Sequence, residues 1–196
     1  MDHQIPELRK NLKAKLKSQR YEHSLSVSYT CISLAMKYGY SLDEAEVAGL
    51  LHDCAKHYDD DAILRHCIKH NIPVSECELK APAVLHAKYG AWMIQNQYGI
   101  QEDAILHAVA CHTTGMPNMK LLDKILYVAD YIEPRRDQAP DLDHIRRLAY
   151  EDLDETVFRI MEGTLSYLKS KGSFVDPMTQ EAYDYYNKLR TIKKGV

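Results

Sequence analysis

Apolar residues recur at three- and four-residue spacing through nearly the whole chain, as in Val27, Cys31, Leu34 and Ala35, while runs of strict alternation are missing. A chain written at that period buries stripes of helices against one another, so an all-α fold is expected. Gly39 can close one helix, and Ser41 with Glu44 forms a capping box that opens the next, which is expected to carry Leu50 to Lys56. Further breaks fall at Pro73, Pro82, Gly99, Gly115 to Pro117, Pro134 and Pro140, and a final helix follows Pro177. None of these breaks reads as a flexible linker, and no repeat is present. The 196 residues therefore suit one irregular helical bundle with a C-terminal helical extension.

Composition excludes several classes. With 45% hydrophobic and 27% charged residues, no segment approaches the roughly 20 uninterrupted apolar residues of a membrane span, so no membrane partner is expected. A net charge of −3 lacks the basic field of a sequence-independent nucleic-acid binder, so no nucleic acid is expected and any phosphate must be gripped locally. Met1 to Leu16 lacks the apolar core of a secretory signal. The five cysteines are odd in number and form no C-x-x-C pair, which argues against a disulfide framework and against a thiolate zinc site. Reduced thiols in the cytoplasm are the expectation.

The chemistry is carried by histidines and carboxylates on inward faces. His52 and Asp53 adjoin in Ala48-Gly-Leu-Leu-His-Asp-Cys-Ala-Lys56, where small Ala48 and Gly49 let another helix come close. An imidazole offers one nitrogen, and the neighbouring carboxylate has two oxygens that can bridge two cations. His23 heads the stripe Val27, Thr30, Cys31, Leu34; His86 lies with Tyr89, Gly90 and Met93; His112 follows Ile105, Ala108 and Val109. All three are expected to point inward. Asp130 follows Leu122, Leu126 and Tyr127 on an otherwise apolar face, so its buried charge needs a metal, a raised pKa or an ion pair with Arg20, Arg135 or Arg136. His3, His57, His66, His70 and His144 lie among charged residues and are expected to be solvated or to support the site from outside, with His107 on another face from His112. Cys54 and Cys111 are expected to be small core residues.

The ordered set His23, His52-Asp53, His86, His112, Asp130 resembles the extended pattern of HD-domain metallohydrolases. Arg20-Tyr-Glu-His23-Ser, Leu50-Leu-His-Asp-Cys-Ala-Lys56 and Ala129-Asp-Tyr-Ile-Glu-Pro134, followed by Arg136-Asp137, are similar to the YqeK family of symmetrical diadenosine tetraphosphate hydrolases, a likeness that runs from about Glu7 to about Asn187. The resemblance implies one HD domain over residues 1–196, with a core at about 18–135 and C-terminal helices and a nucleotide-contact loop at about 140–196. It implies a dinuclear iron site that splits diadenosine tetraphosphate into two ADP. By position, His23, His52, Asp53 and Asp130 would hold one metal, and Asp53, His86 and His112 the other. It further implies nucleotide contacts at Arg136 and in the loop Ser173, Phe174, Val175, Asp176, Pro177 and Met178. Arg20, Lys56 and the ligands His86, His112 and Asp130 complete the expected nucleotide-binding set. Pro177 and Thr179 match the family pattern, but Asp176 and Tyr183 stand where the family commonly has His and Arg.

The expected mechanism is attack of a metal-bound hydroxide on the second phosphorus, with Asp53 bridging and Lys56 bringing an ammonium to the phosphate from three residues away. Lys56 can also be read as a surface lysine at a helix end. An imidazole and carboxylate set suits iron or manganese. Two alternatives keep part of this reading: other nucleotides as substrate (nucleoside monophosphates, cyclic nucleotides or guanosine tetraphosphate), and a non-catalytic metal- or nucleotide-binding module. A homodimer is compatible with either reading.

Overall fold

The helical period becomes eleven α-helices and one 3-10 turn (Pro82–Val84), with no strand among the described residues of the computed structural model, which are 4–193 and 195. In chain order these are α1 (Ile5–Lys15), α2 (Ser18–Tyr38), α3 (Leu42–Leu51), α4 (Asp60–Lys69), α5 (Glu76–Lys80), α6 (Leu85–Gln97), α7 (Asp103–Cys111), α8 (Leu121–Ile132), α9 (Leu142–Leu148), α10 (Leu153–Ser170) and α11 (Pro177–Lys193). No described helix is long and apolar enough to cross a membrane. His3 lies outside the described residues.

The long α2 carries the stripe Val27, Cys31, Leu34 and Ala35, all fully buried, and α3 and α8 pack along it. Helix α7 packs on both α3 and α8, and α6 packs on α7. Helix α10 lies on α8, and α11 packs against α10. Local chemistry sets the ends. Gly39 takes φ +69° after α2, a left-handed turn that suits a residue without Cβ. Asp59 and Asp152 accept backbone N–H groups at the starts of α4 and α10.

Two expected details differ. Ser41 does accept the Glu44 N–H at 3.3 Å, but the Glu44 carboxylate accepts the Tyr40 hydroxyl at 2.6 Å, so only half of the capping box is present. More consequential, α3 does not carry Leu50 to Lys56; it stops at Leu51. His52 Nδ1 donates to the Gly49 carbonyl at 2.8 Å, and the backbone then tightens into three-residue turns from Cys54 to Leu51 and from Lys56 to Asp53. That tightening swings Asp53 and Lys56 off the helical spiral that periodicity alone would assign.

A further difference is an aromatic stack on α4 and α6. His66 lies parallel to Tyr89 with ring centroids 5.0 Å apart, and His70 stacks on Trp92 at 3.9 Å. These half-buried rings are packing elements, not solvated histidines. His144 is exposed as expected.

Gly49 fixes the distance between α2 and α3, because a Cβ there would stand 2.7 Å from the Ser28 Cα. Backbone cannot yield as a side-chain tip can, so Gly49→Ala must push the helices apart. Thermal or denaturant unfolding should show a loss of about 1–3 kcal/mol; unchanged stability would mean that the helices are not locked at this contact.

Candidate metal centre

Five elements converge on one point. His23 comes from α2, His52 and Asp53 from the end of α3, His86 from the first turn of α6, His112 from the end of α7, and Asp130 from α8. His52 and Asp53 are 0% and 3% exposed, and His86 and His112 are nearly as buried. The structure thus brings together all six residues expected from the sequence.

Each imidazole is held by its far nitrogen. His52, His86 and His112 each turn Nδ1 toward the carbonyl three residues earlier, on Gly49, Ala83 and Val109. A carbonyl can only accept, so Nδ1 must carry the proton and Nε2 is left for the centre. His23 Nδ1 donates instead to Glu133 Oε1 at 3.1 Å. The buried Glu133 is in turn fixed by the Arg135 N–H at 2.7 Å. A histidine oriented by a carboxylate in this way is the usual support of a metal-facing ring.

The Nε2 atoms sort around the two oxygens of Asp53. Oδ1 is 3.3 Å from His86 Nε2 and 3.9 Å from His112 Nε2. Oδ2 is 3.5 Å from His52 Nε2 and 3.9 Å from His23 Nε2. Asp130 Oδ1 joins the second group, 3.0 Å from His23 Nε2 and 3.8 Å from His52 Nε2. By these distances His86 and His112 lie toward Oδ1 and His23, His52 and Asp130 toward Oδ2, while the donor atoms of His52, Asp53 and His112 also lie within 4.8 Å of one another.

The side chains of the cluster also set one another's charge. For His52, burial opposes the charged ring but the adjoining Asp53 carboxylate outweighs it, and the pKa rises to about 9. For His112, burial and the neighbouring His86 and His52 rings depress it to about 3. Burial alone would raise Asp130, yet the hydrogen bond from His23 and the charge on His52 hold it well below the usual carboxylate range. Asp53 is held low for the same reason, burial being overcome by His52 and His86. His52 Nε2 is buried and makes no hydrogen bond among the described residues, its nearest carboxylate oxygen being Asp53 Oδ2 at 3.5 Å, an expensive condition for a polar nitrogen unless something else fills the role. A divalent cation fits that orphaned atom and the oxygen and nitrogen donors around it. Thiols take no part: burial first, and nearby aspartate second, push Cys54 and Cys111 up to about 12.

Two clefts open beside the cluster. The first, about 320 Å³, has Asp53, His86, His112 and Asp130 along its floor and Thr113, Tyr127, Tyr131, Ile160 and Thr164 as walls. The second, about 610 Å³, is lined by Lys17, Gln19, His23, Glu133, Arg135, Asp137 and Gln138. Arg20, Lys56 and Arg136 border both. Of the three arginines considered for Asp130, Arg136 pairs with it, its Nη2 lying 3.5 Å from Oδ1 and 2.9 Å from the backbone oxygen. Arg20 instead bonds Asp53 Oδ2 at 2.7 Å, and Arg135 lies 3.9 Å from Glu22. No carboxylate pairs with the Lys56 ammonium among the described residues.

Ser173, Phe174, Val175, Asp176, Pro177 and Met178 line neither cleft. The Asp176 carboxylate accepts the Met178 N–H at 2.8 Å, capping α11. Several residues that do matter are not singled out by the sequence pattern. Glu133 lies three positions after Asp130, close enough to share its helical face, and that spacing is the available signal. Thr113 Oγ1 stands 3.3 Å from both His86 Nε2 and His112 Nε2. Arg146 fastens the loop behind Arg136 by donating to the carbonyls of Ile132, Glu133 and Arg136 at 3.0, 3.1 and 2.8 Å. His107 proves to be the partner of buried Asp123, 2.9 Å away.

An HD domain model matches residues 20–135. The chain is 35% identical over 174 residues to a symmetrical bis(5'-nucleosyl)-tetraphosphatase of Bacillus subtilis, covering 89% of this chain and 92% of that one. A Staphylococcus aureus protein of the same description is 35% identical over 185 residues, covering 93% and 94%. A crystal structure from Clostridium acetobutylicum, described as a predicted HD superfamily hydrolase involved in NAD metabolism, superposes with a TM-score of 0.91 at 34% identity, covering 94% of this chain and 97% of that one.

Glu133→Gln keeps an acceptor for His23 but removes the charge that makes the ring a better donor. Metal affinity, read by competition with a chelator, should fall about 10- to 100-fold while the fold is retained. An unchanged affinity would mean that Glu133 only closes its loop.

Proposed function

The chain belongs to the HD-domain family and, within it, to the group of the symmetrical bis(5'-nucleosyl)-tetraphosphatases, and on that premise we propose that it hydrolyses diadenosine tetraphosphate to two ADP. The observation that carries the reading is the pair of clefts that meet at Arg20, Lys56 and Arg136 beside the histidine and carboxylate cluster. A mononucleotide needs one such cleft; a substrate with two nucleoside ends and a charged middle has use for both. The intact cluster also weighs against a non-catalytic binding module.

His23, His52, Asp53 and Asp130 would hold one cation, and Asp53, His86 and His112 a second. Iron is the favoured metal and manganese the alternative, in keeping with a nitrogen and oxygen donor set without thiolate. When bound, such a centre supplies Lewis-acid neutralisation of phosphoryl oxygens and lowers the pKa of water. The chain's own contribution is positioning. Lys56 and Arg136 approach the phosphate oxygens as cations whose charge is worth most in a site closed to water. Arg20, already 2.7 Å from Asp53, ties the charge of the rim to that of the cluster. Tyr127, Tyr131 and Ile160 form part of the wall of the first cleft. Water adds its oxygen to the second phosphorus, the bond from that phosphorus to the central bridging oxygen breaks, and the departing ADP keeps the bridging oxygen. That leaving oxygen is weakly basic, so no protein acid is required. The five free cysteines suit a reducing cytoplasm. The reading requires neither nucleic acid nor a second subunit.

Purified protein with bound metal quantified should convert diadenosine tetraphosphate to ADP alone, and in ¹⁸O-water one of the two ADP molecules should carry the label on its β-phosphate. Asp53→Ala should lose both bound metal and turnover. ATP with AMP as products, or faster turnover of mononucleotides, would refute the substrate assignment.

A further inference from the structure

We propose that the second cleft is the subsite for the departing nucleoside diphosphate, with Lys17 and Arg135 as its specificity-determining cations; this rests on the tetraphosphate reading above. The two clefts are unequal in kind. The first has the shared carboxylate Asp53 and both His86 and His112 in its floor, so a phosphorus there faces the reacting groups. Of the cluster, the second is bordered only by His23. It can hold a phosphate but has few of the groups needed to attack one.

Its charge suits that task. Lys17, Arg20, Lys56, Arg135 and Arg136 line it, against Glu133 and Asp137. Glu133 is already engaged by His23 and by the Arg135 N–H, which leaves Asp137 as the one acidic lining residue without that commitment. Neither Lys17 nor Lys56 has a carboxylate partner among the described residues, and Arg135 has only the distant Glu22 at 3.9 Å. Cations that are unpaired or only loosely paired, gathered around a concave wall, are a site for an anion of several charges. At about 610 Å³ the space also admits a nucleoside, with the Gln19 and Gln138 amides able to bond its base or sugar. Because Arg20, Lys56 and Arg136 border both clefts, the middle of the tetraphosphate would cross over them. The bond to be broken then lies between the two halves.

A subsite for the leaving half means that one chain should bind two ADP molecules. Calorimetric titration of the metal-loaded protein with ADP should give a stoichiometry of two. Lys17→Gln with Arg135→Gln should remove the weaker site and raise KM for diadenosine tetraphosphate about tenfold, since each residue is an exposed cation. Both effects should shrink as salt is added. The single variants should each give part of the loss, and unchanged metal content and melting temperature should show that the fold is intact. One ADP per wild-type chain, or a double variant with both ADP sites and the parental KM, would overturn the subsite. Splitting of the dinucleotide by a chain that binds one ADP would remove the subsite alone, whereas two ADP sites without any splitting would remove the tetraphosphate reading and leave a two-nucleotide binding surface.

Discussion

The Asp53 carboxylate, 3% exposed and set among four imidazoles, is the group on which the rest of the arrangement depends. A lone carboxylate at that depth would be costly enough to lose its charge. Here the surrounding donors do the opposite and hold it ionised. One oxygen looks toward His86 and His112 and the other toward His23 and His52, so a single side chain imposes a division on five helices. Every nearby element can be understood as something that keeps this division in place.

The helix ends accomplish much of that. His52 and His112 sit where α3 and α7 stop, and each ring bonds a carbonyl of its own last turn. The Val109 carbonyl also takes the His112 backbone N–H at 3.5 Å, so these bonds tie each ring to the last turn of its own helix. Gly49 lets α3 lie close against α2 and so brings His23 beside His52, with ring centroids 5.3 Å apart. Arg146 reaches back from α9 to three carbonyls of the segment that bears Glu133 and Arg136. The support behind the cluster is therefore mostly backbone, which holds position more firmly than flexible side chains could.

Much of this is legible in the amino-acid sequence. The helical period specifies the fold class, and the apolar stripes around His23, His86, His112 and Asp130 mark the cluster residues, because an inward polar residue has few other reasons to be there. Ala48 and Gly49 signal the close helix contact. What the sequence does not display are events that break the period or cross between elements. The turn after Leu51 replaces the helical bonds with shorter backbone bonds from Cys54 to Leu51 and from Lys56 to Asp53, and periodicity has no term for that. Arg146, Ile160 and Thr164 reach the site from helices far along the chain, so no local pattern marks them. His66 and His70 look polar by their neighbours, although stacking on Tyr89 and Trp92 makes them part of the packing. The loop Ser173–Met178 is implied by family likeness alone, and it lines neither cleft.

The most direct test of the account is anomalous diffraction from crystals of the protein loaded with its metal. Two ions should appear on opposite sides of the Asp53 carboxylate, one bounded by His23, His52 and Asp130 and the other by His86 and His112. A single ion held by one of these sets, with the imidazoles of the other set left uncoordinated, would contradict the claim that Asp53 divides the cluster in two.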